Sequence, residues 1–223
     1  EKELNVALLE PNDHAGGVFA QLWAEMGGVW RGATREGQPP AGARPYHVHE
    51  SPPLGEIVRD INKFSNNVMA RQLFLTLAVE SAAPPARAAN AIRAVRQWLA
   101  AKGVSAPELV MENGSGLSRV ERISAENLAN LLLAAWRSNA MPEFIASMPV
   151  AAVDGTMRRR LRHEAVAGNA HIKTGLLSDV RSMAGFVLDR NGHRHVVVMF
   201  VNHPNAHQAQ PAMDALLRWV HGG

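Results

Sequence analysis

The fold is decided by residues 170–202, which read AHIKTGLLSDVRSMAGFVLDRNGHRHVVVMFVN. Runs rich in Val, Ile and Phe are separated in this segment by short polar turns, and they predict three strands at roughly 170–174, 181–189 and 194–202. Asn191-Gly192 is a hairpin signal, because both residues tolerate the positive φ of a tight turn. The last strand carries a continuous apolar run, HVVVMFV, which is typical of a strand covered on both faces. We therefore expect an antiparallel meander.

Helices are predicted on both sides of this meander, because apolar residues recur there at helical spacing. One helix follows the meander at residues 207–221. The helices before it run through 18–26, from Leu54, from near Ser65 through 68–80, over 86–102 and from a cap at Ser124. Residues 4–9 predict one further short strand. Because the chain shows neither an internal repeat nor a long linker, the fold class is α+β.

The composition of the 223 residues excludes several classes of protein. With 47% hydrophobic and 19% charged residues the chain is not disordered over its length. No apolar run approaches the roughly 20 residues of a membrane helix. The absence of cysteine excludes disulfides, thiol catalysis and cysteine zinc sites. A net charge of +3 is too small to indicate nucleic-acid binding by the chain as a whole.

Lys173-Thr174-Gly175 lies at the end of a predicted strand and is suited to a substrate that bears a carboxylate. The lysine supplies charge, the threonine supplies a hydrogen bond, and the glycine lets the substrate backbone come close. On a regular strand Lys173 and Gly175 share one face. The tripeptide is a weak signal by itself, because common residues meet in this order by chance.

Ser65-Asn66-Asn67 is a Ser-x-Asn sequence at a predicted helix start, and two interpretations are open. Ser and Asn are frequent helix caps, so the motif could be structural alone. In this structural interpretation Lys63, two residues earlier, could be a solvated charge. The order Ser-x-Asn and then, about a hundred residues later, Lys-Thr-Gly is however that of the penicillin-recognising serine enzymes.

Four blocks in register extend this similarity over most of the chain. They read INKFSNNVMARQL (61–73), ENGSGLSRVERISAENL (112–128), MPVAAVDGTMRRRL (148–161) and HIKTGLLSDVRSMAGFVLD (171–189). Together they resemble the D-Ala-D-Ala carboxypeptidase/endopeptidase family of class C low-molecular-mass penicillin-binding proteins. The resemblance implies a transpeptidase fold of the penicillin-binding-protein and β-lactamase type. It also implies a periplasmic enzyme of peptidoglycan remodelling that acts on stem peptides, is inhibited by β-lactams and needs no cofactor or metal.

The resemblance also implies a role for each matching residue. Ser65 joins a proton relay, and Lys173 supplies positive potential near that relay and the substrate. Asn67 holds a substrate carbonyl, and Thr174 binds the substrate carboxylate beside Gly175. The backbone N–H of Leu176 completes an oxyanion hole, which any residue type can do. Relatives often carry Thr or Ser at position 176, so carboxylate binding here lacks one hydroxyl, and the neighbouring basic residue is Arg181.

The nucleophilic motif of this family, Ser-x-x-Lys, is absent from the chain. The residues three positions before the lysines at 63, 102 and 173 are Asp60, Leu99 and Ala170. Residues 1–223 are therefore expected to be the C-terminal part of the transpeptidase-like domain. The N-terminal segment with Ser-x-x-Lys, and most of an inserted region, would belong to another part of the polypeptide. By itself the chain is expected to be inactive.

Two readings from other classes remain. A non-catalytic peptidoglycan-binding relative would keep the binding motifs without the nucleophile. A nucleic-acid-binding protein could use the arginine run 158–162, although such runs are usually solvated helix faces and the net charge is small. Ser115, between two glycines, is expected to lie in a turn and not to act as a nucleophile, because the flanks of a Gly-x-Ser-x-Gly elbow are missing.

Overall fold

The computed structural model describes residues 9–82 and 85–223. The chain divides into two compact units, Glu1–Glu50 and Ser51–Gly223. The predicted strand at 4–9 lies, apart from Leu9, outside the described residues. The expectation that residues 1–223 all belong to one larger domain is not decided by this division and stays a prediction.

The first unit is built around one helix, α1 (Pro11–Glu25), which confirms the helix predicted there. Proline suits the first turn because its missing N–H would have no partner at that position. Phe19 stacks on Trp23 at 5.9 Å between ring centroids and meets Trp30 edge-on at 5.3 Å. These aromatic contacts organise a unit whose helix has no fully buried residue.

The second unit contains six α-helices among its described residues: α2 (Leu54–Phe64), α3 (Asn67–Ser81), α4 (Ala88–Ala101), α5 (Ala125–Trp136), α6 (Met141–Ser147) and α7 (Gln210–Gly222). Ser124 caps α5 as expected, because its hydroxyl accepts the Asn127 N–H at 3.1 Å. The sequence pattern did not predict α6, which has seven residues and is too short to show a helical period. No helix of the described part of the chain is long and apolar enough to cross a membrane.

The predicted meander is confirmed and consists of β1 (Ala170–Leu177), β2 (Val180–Leu188) and β3 (Arg194–Asn202). Both pairs are antiparallel and the strand order is β1-β2-β3, so β1 and β3 are the edges. The bounds of β1 exceed the prediction by three residues, because Lys173-Thr174-Gly175 lies inside the strand and not at its end.

The sheet is covered on both faces, as the apolar run of β3 predicted. On one face Ile172, Met183 and Val197 pack with Met213 and Leu217 of α7. On the other face Phe186 of β2 packs with Leu132 of α5 and Met148, which follows α6. Because neighbouring residues of a strand point to opposite faces, each strand divides its residues between these two cores.

This alternation positions the functional segment of β1. Lys173 pairs with Ala184 and Gly175 with Ser182, so both lie on the sheet face that carries Phe186. Since β1 is an edge strand, its outer side is open to the helices of the same unit. The end of α2, the start of α3 and the loop before α5 meet it there.

Candidate active site

Ser65 lies between α2 and α3 in a left-handed backbone conformation, with φ 52° and ψ 47°. This conformation costs a residue with a side chain about 1–2 kcal/mol. The cap of α3 is the neighbouring Asn66, whose side chain accepts the Met69 N–H at 3.0 Å. Within the Ser-x-Asn motif the capping role therefore belongs to Asn66, and the hydroxyl of Ser65 is directed elsewhere.

The hydroxyl of Ser65 accepts a hydrogen bond from Nζ of Lys173. The two residues are 108 positions apart in the sequence, and the fold brings them into contact. Lys173 also donates to the carbonyl oxygen of Thr174 at 2.7 Å. Burial lowers the pKa of the Lys173 ammonium below its ordinary value, because desolvation penalises the charged form. Lys173 is thus a cation that gives up its proton more readily than a solvated lysine.

Thr174 and Gly175 shape the edge of β1 beside this lysine. The hydroxyl of Thr174 lies 3.4 Å from that of Thr156. A Cβ atom at position 175 would lie only 2.3 Å from Oγ of Ser182 on the neighbouring strand. A larger residue at 175 would displace the Ser182 side chain, so glycine allows the present close packing of β1 on β2, in addition to the close substrate approach that the sequence suggested.

The backbone N–H of Leu176 points to the open side of β1. The N–H of Ile172 is directed outward, because it donates to the carbonyl oxygen of Pro149 at 2.8 Å. N–H groups along a strand alternate between its two sides, so Leu176, four residues later, is oriented like Ile172. Leu176 is 67% exposed and lines the cleft that β1 borders.

Asn67 connects the first turn of α3 to the loop that precedes α5. Its Nδ2 donates to the carbonyl oxygen of Ser115 at 2.5 Å, which leaves the second N–H and the carbonyl oxygen for other partners. The loop is held by Oε1 of Glu121, which accepts the N–H groups of residues 112, 113 and 114, each at 3.1 Å. Gly114 has a φ of +67°, and the hydroxyl of Ser115 donates to the Asn113 side chain at 2.6 Å. Ser115 is thus a turn residue.

All six residues singled out by the sequence line one cleft of about 720 Å³: Ser65, Asn67, Lys173, Thr174, Gly175 and Leu176. The cleft also reaches Arg181, Thr156 and Arg160. Arg181 donates through Nη1 to the carbonyl oxygens of Leu177 and Val180, at 2.6 and 2.9 Å. It therefore borders the cleft while supporting the β1–β2 turn.

Two charged residues lie where the sequence did not place them. Lys63 is buried, not solvated, and its Nζ contacts Oδ2 of Asp154 at 2.6 Å. Within the arginine run 158–162, Arg160 turns inward to an ion pair with Asp214 of α7, so the run is not a uniform solvated face. Thr156 lines the cleft, although the sequence did not single it out. Its only sequence signal is its place in the block 148–161, directly after Asp154-Gly155.

No His, Asp or Glu is found among the described residues that line this cleft. Among residues 9–82 and 85–223, no group of three or more His, Asp and Glu side chains is arranged to hold a metal ion. What the cleft offers is a hydroxyl, a partly desolvated lysine, an amide and outward-facing backbone N–H groups. This set suits acyl-transfer chemistry.

Comparison with known proteins agrees with this geometry. Residues 1–221 match the model of the D-Ala-D-Ala carboxypeptidase 3 (S13) family. A D-alanyl-D-alanine carboxypeptidase of Actinomadura sp. (strain R39) is 33% identical over 186 residues, which are 80% of this chain and 34% of that protein. D-alanyl-D-alanine carboxypeptidase DacB of Haemophilus influenzae is 26% identical over 201 residues, which are 89% of this chain and 42% of that protein.

Solved structures show the same fold. Penicillin-binding protein 4 (dacB) of Haemophilus influenzae, complexed with a β-lactam, superposes with a TM-score of 0.81 at 24% identity, over 96% of this chain and 51% of that one. The predatory endopeptidase Bd3459 of Bdellovibrio bacteriovorus, acylated by penicillin G, gives a TM-score of 0.58 at 21% identity, over 76% of this chain and 45% of that one. The chain thus spans about a third to a half of the length of these relatives.

Proposed function

Because the chain belongs to the D-Ala-D-Ala carboxypeptidase 3 (S13) family, we propose that it is the C-terminal part of the penicillin-binding domain of a serine D-Ala-D-Ala carboxypeptidase/endopeptidase. The observation that favours a functional site over a purely structural helix start is the contact between Lys173 and Ser65 in a cleft that also contains Asn67 and Thr174. A Ser-x-Asn motif that served only as a helix start would not need a contact between Ser65 and a lysine 108 positions away. The proposed substrates are peptidoglycan stem peptides, β-lactams are the inhibitors, and the compartment is the periplasm.

In the proposed reaction a serine hydroxyl attacks the carbonyl carbon between the two D-alanines. The C–N bond breaks, the released D-alanine takes up a proton at its amine, and water then hydrolyses the acyl-enzyme. Leu176 donates its backbone N–H to the oxyanion that forms in both steps. Lys173 and Thr174 bind the terminal carboxylate, and Asn67 donates its free N–H to the substrate backbone.

Ser65 is suited to deliver the proton to the leaving amine. Its oxygen accepts from Lys173, so its own hydrogen is not used in this contact and can be donated to a substrate group. When Ser65 gives that proton up, the lowered pKa of Lys173 makes the lysine a ready donor to replace it. The pair therefore forms a two-residue relay whose direction is set by the hydrogen bond.

The nucleophile is proposed to lie on a segment of the polypeptide that precedes this chain, because none of its lysines lies in Ser-x-x-Lys. The greater length of the relatives supports such a segment. So does a second, largely apolar groove of about 1060 Å³ in the same unit, whose lining includes Leu77, Trp98 and Phe200. No strand among the described residues pairs with the outer edge of β3, which gives the segment a place to add strands.

A non-catalytic relative that binds peptidoglycan is the second candidate. The absence of Ser-x-x-Lys from the chain favours it, while the retained Lys173–Ser65 contact is compatible with both. The gene sequence distinguishes the two candidates, because the enzyme requires a Ser-x-x-Lys in the same reading frame upstream of this sequence.

The decisive experiment is intact-mass spectrometry of the encoded polypeptide before and after treatment with excess penicillin. The enzyme gains the mass of one penicillin on the part that carries Ser-x-x-Lys. Ser65→Ala is expected to slow this acylation, and Ser138→Ala is the matched control, because Ser138 only closes the end of α5 on the Ala135 carbonyl oxygen. A polypeptide that contains Ser-x-x-Lys, folds and gains no mass would refute the proposal and favour the binding module.

A further inference from the structure

Lys63 is a buried residue at the end of α2, two residues before Ser65, and it links this helix to residues 148–154. The residue is only 9% exposed, and its Nζ lies 2.6 Å from both the Met148 carbonyl oxygen and Oδ2 of Asp154. The other carboxylate oxygen of Asp154 accepts the Val150 N–H at 2.8 Å. The ammonium thus binds both ends of the turn 148–154 to the last turn of α2.

A close backbone approach between Gly155 and Lys63 reinforces this link. Gly155 has a φ of +54°, and a Cβ atom there would lie 2.6 Å from the carbonyl oxygen of Lys63. The next residue, Thr156, lines the cleft and places its hydroxyl 3.4 Å from that of Thr174. Two paths therefore lead from Lys63 to the cleft: along the chain to Ser65, and through Asp154 to Thr156.

We propose that Lys63 and Asp154 are positioning residues, which hold Ser65 against Lys173 and Thr156 against Thr174. Neither residue lines the cleft, so they act through the residues that do. Stability alone does not require an ion pair at this place, because the Asp154 side chain is 41% exposed and an ion pair that water reaches contributes little to stability. Its value is geometric: the left-handed Ser65 needs a fixed anchor just before it, and the pair provides that anchor. The catalytic part of this inference rests on the proposed function, whereas its geometric part does not.

The geometric part can be tested on the 223-residue chain, because it contains only four lysines, at 2, 63, 102 and 173. Selective ¹³Cε labelling of lysine gives one resonance for each, assigned by single Lys→Arg variants. The test variant is Lys63→Met/Asp154→Asn, which removes both charges and so avoids leaving one of them buried without a partner. The matched control is Arg218→Met/Glu164→Gln, which removes an ion pair that lies away from the cleft.

In the test variant we expect Lys173 to lose its fixed contact with Ser65 and to become more solvated. Its resonance should move, and its titration midpoint should rise by about 0.5 pH units or more toward that of a free lysine. The control should leave both unchanged. An unchanged Lys173 titration in a folded test variant would overturn the proposal. If the double variant does not fold, Asp154→Asn alone is used, which keeps an oxygen for Lys63 and should shift Lys173 in the same direction.

The catalytic part is tested on the polypeptide that includes the preceding segment. In the test variant we expect the penicillin acylation rate constant to fall about tenfold or more, while the dissociation constant for penicillin changes less than about threefold. A purely structural role would lower the folded fraction without changing the rate constant of the folded enzyme, and this result would count against the proposal. If the wild-type polypeptide is not acylated at all, the proposed function fails, and the Lys173 titration still decides the geometric part.

Discussion

Replacing Asn66 by alanine should destabilise the second unit, whereas the side chain of Ser65 caps no helix, because Ser65 closes α2 through its backbone alone. The Asn66 side chain accepts the Met69 N–H at 3.0 Å and is the cap of α3. Loss of such a cap costs about 1 kcal/mol of the free energy of unfolding. For a unit of the size of residues 51–223, this corresponds to a melting temperature lower by about 2–4 °C.

Thermal unfolding followed by circular dichroism, together with urea titration, measures this loss. Asn66→Asp is the matched control, because its carboxylate accepts the same N–H and keeps the wild-type stability. Ser65→Gly gives the converse test. It relieves a left-handed conformation that costs about 1–2 kcal/mol and loses one hydrogen bond from the charged Lys173 worth about 1.5–3 kcal/mol, so the two contributions largely offset each other. If Ser65→Ala destabilised α3 and Asn66→Ala did not, the assignment of roles within this motif would be refuted.

Four further outcomes are expected. Phe186→Ala should lower the free energy of unfolding by about 3–5 kcal/mol in urea titration, because Phe186 is fully buried between the sheet and the rings of Trp136 and Phe144; a loss below 1 kcal/mol would show that the face is not packed as described. Lys173→Ala should slow acylation of the complete polypeptide by ampicillin about tenfold or more, and an unchanged rate would remove Lys173 from the site. Burial lowers the Lys173 pKa in the folded state, so between that pKa and about 10.4 the folded wild type binds fewer protons than its unfolded chain. The stability of the wild type relative to Lys173→Met should therefore rise with pH through this window. A difference that stays constant with pH would contradict the lowered pKa. Hydrogen bonds from His195 and from the N–H groups of residues 191 and 193 lower the pKa of Asp189. The free energy of unfolding of the wild type should therefore exceed that of Asp189→Asn by its full amount above about pH 4, and this difference should fade as the pH falls. A difference independent of pH would count against this cause.

The meander was the most predictable part of the fold. Its strands contain runs rich in Val, Ile and Phe, and Asn191-Gly192 marks the hairpin between β2 and β3. The extension of β1 through Leu177 was missed, because Lys173 and Thr174 are polar and Gly175 is usually a strand breaker. Contact with β2 and close packing on Ser182 override these local preferences.

The cleft was predictable only as a set of motifs in order. The order of Ser-x-Asn and Lys-Thr-Gly in the sequence predicted that Ser65, Asn67 and Lys173 share one cleft. The roles of these residues remain proposals. Lys63 was misjudged, since a lysine in the last turn of a helix is usually solvated and nothing local signals Asp154, 91 residues later. Such a partner is decided by tertiary packing. The same holds for Arg160, whose partner Asp214 lies on the final helix.

The outer edge of β3 has a consequence for handling the protein in solution. The strand carries HVVVMFV, a β-branched, weakly charged run without proline, and no described strand shields its outer backbone groups. Such an edge is a template for intermolecular pairing, and runs of this composition form dry, self-complementary sheets. The chain on its own should therefore lose soluble material at high concentration, whatever its thermal stability. A lysine at the exposed end of β3, in Asn202→Lys, should extend its shelf life more than any improvement of the core.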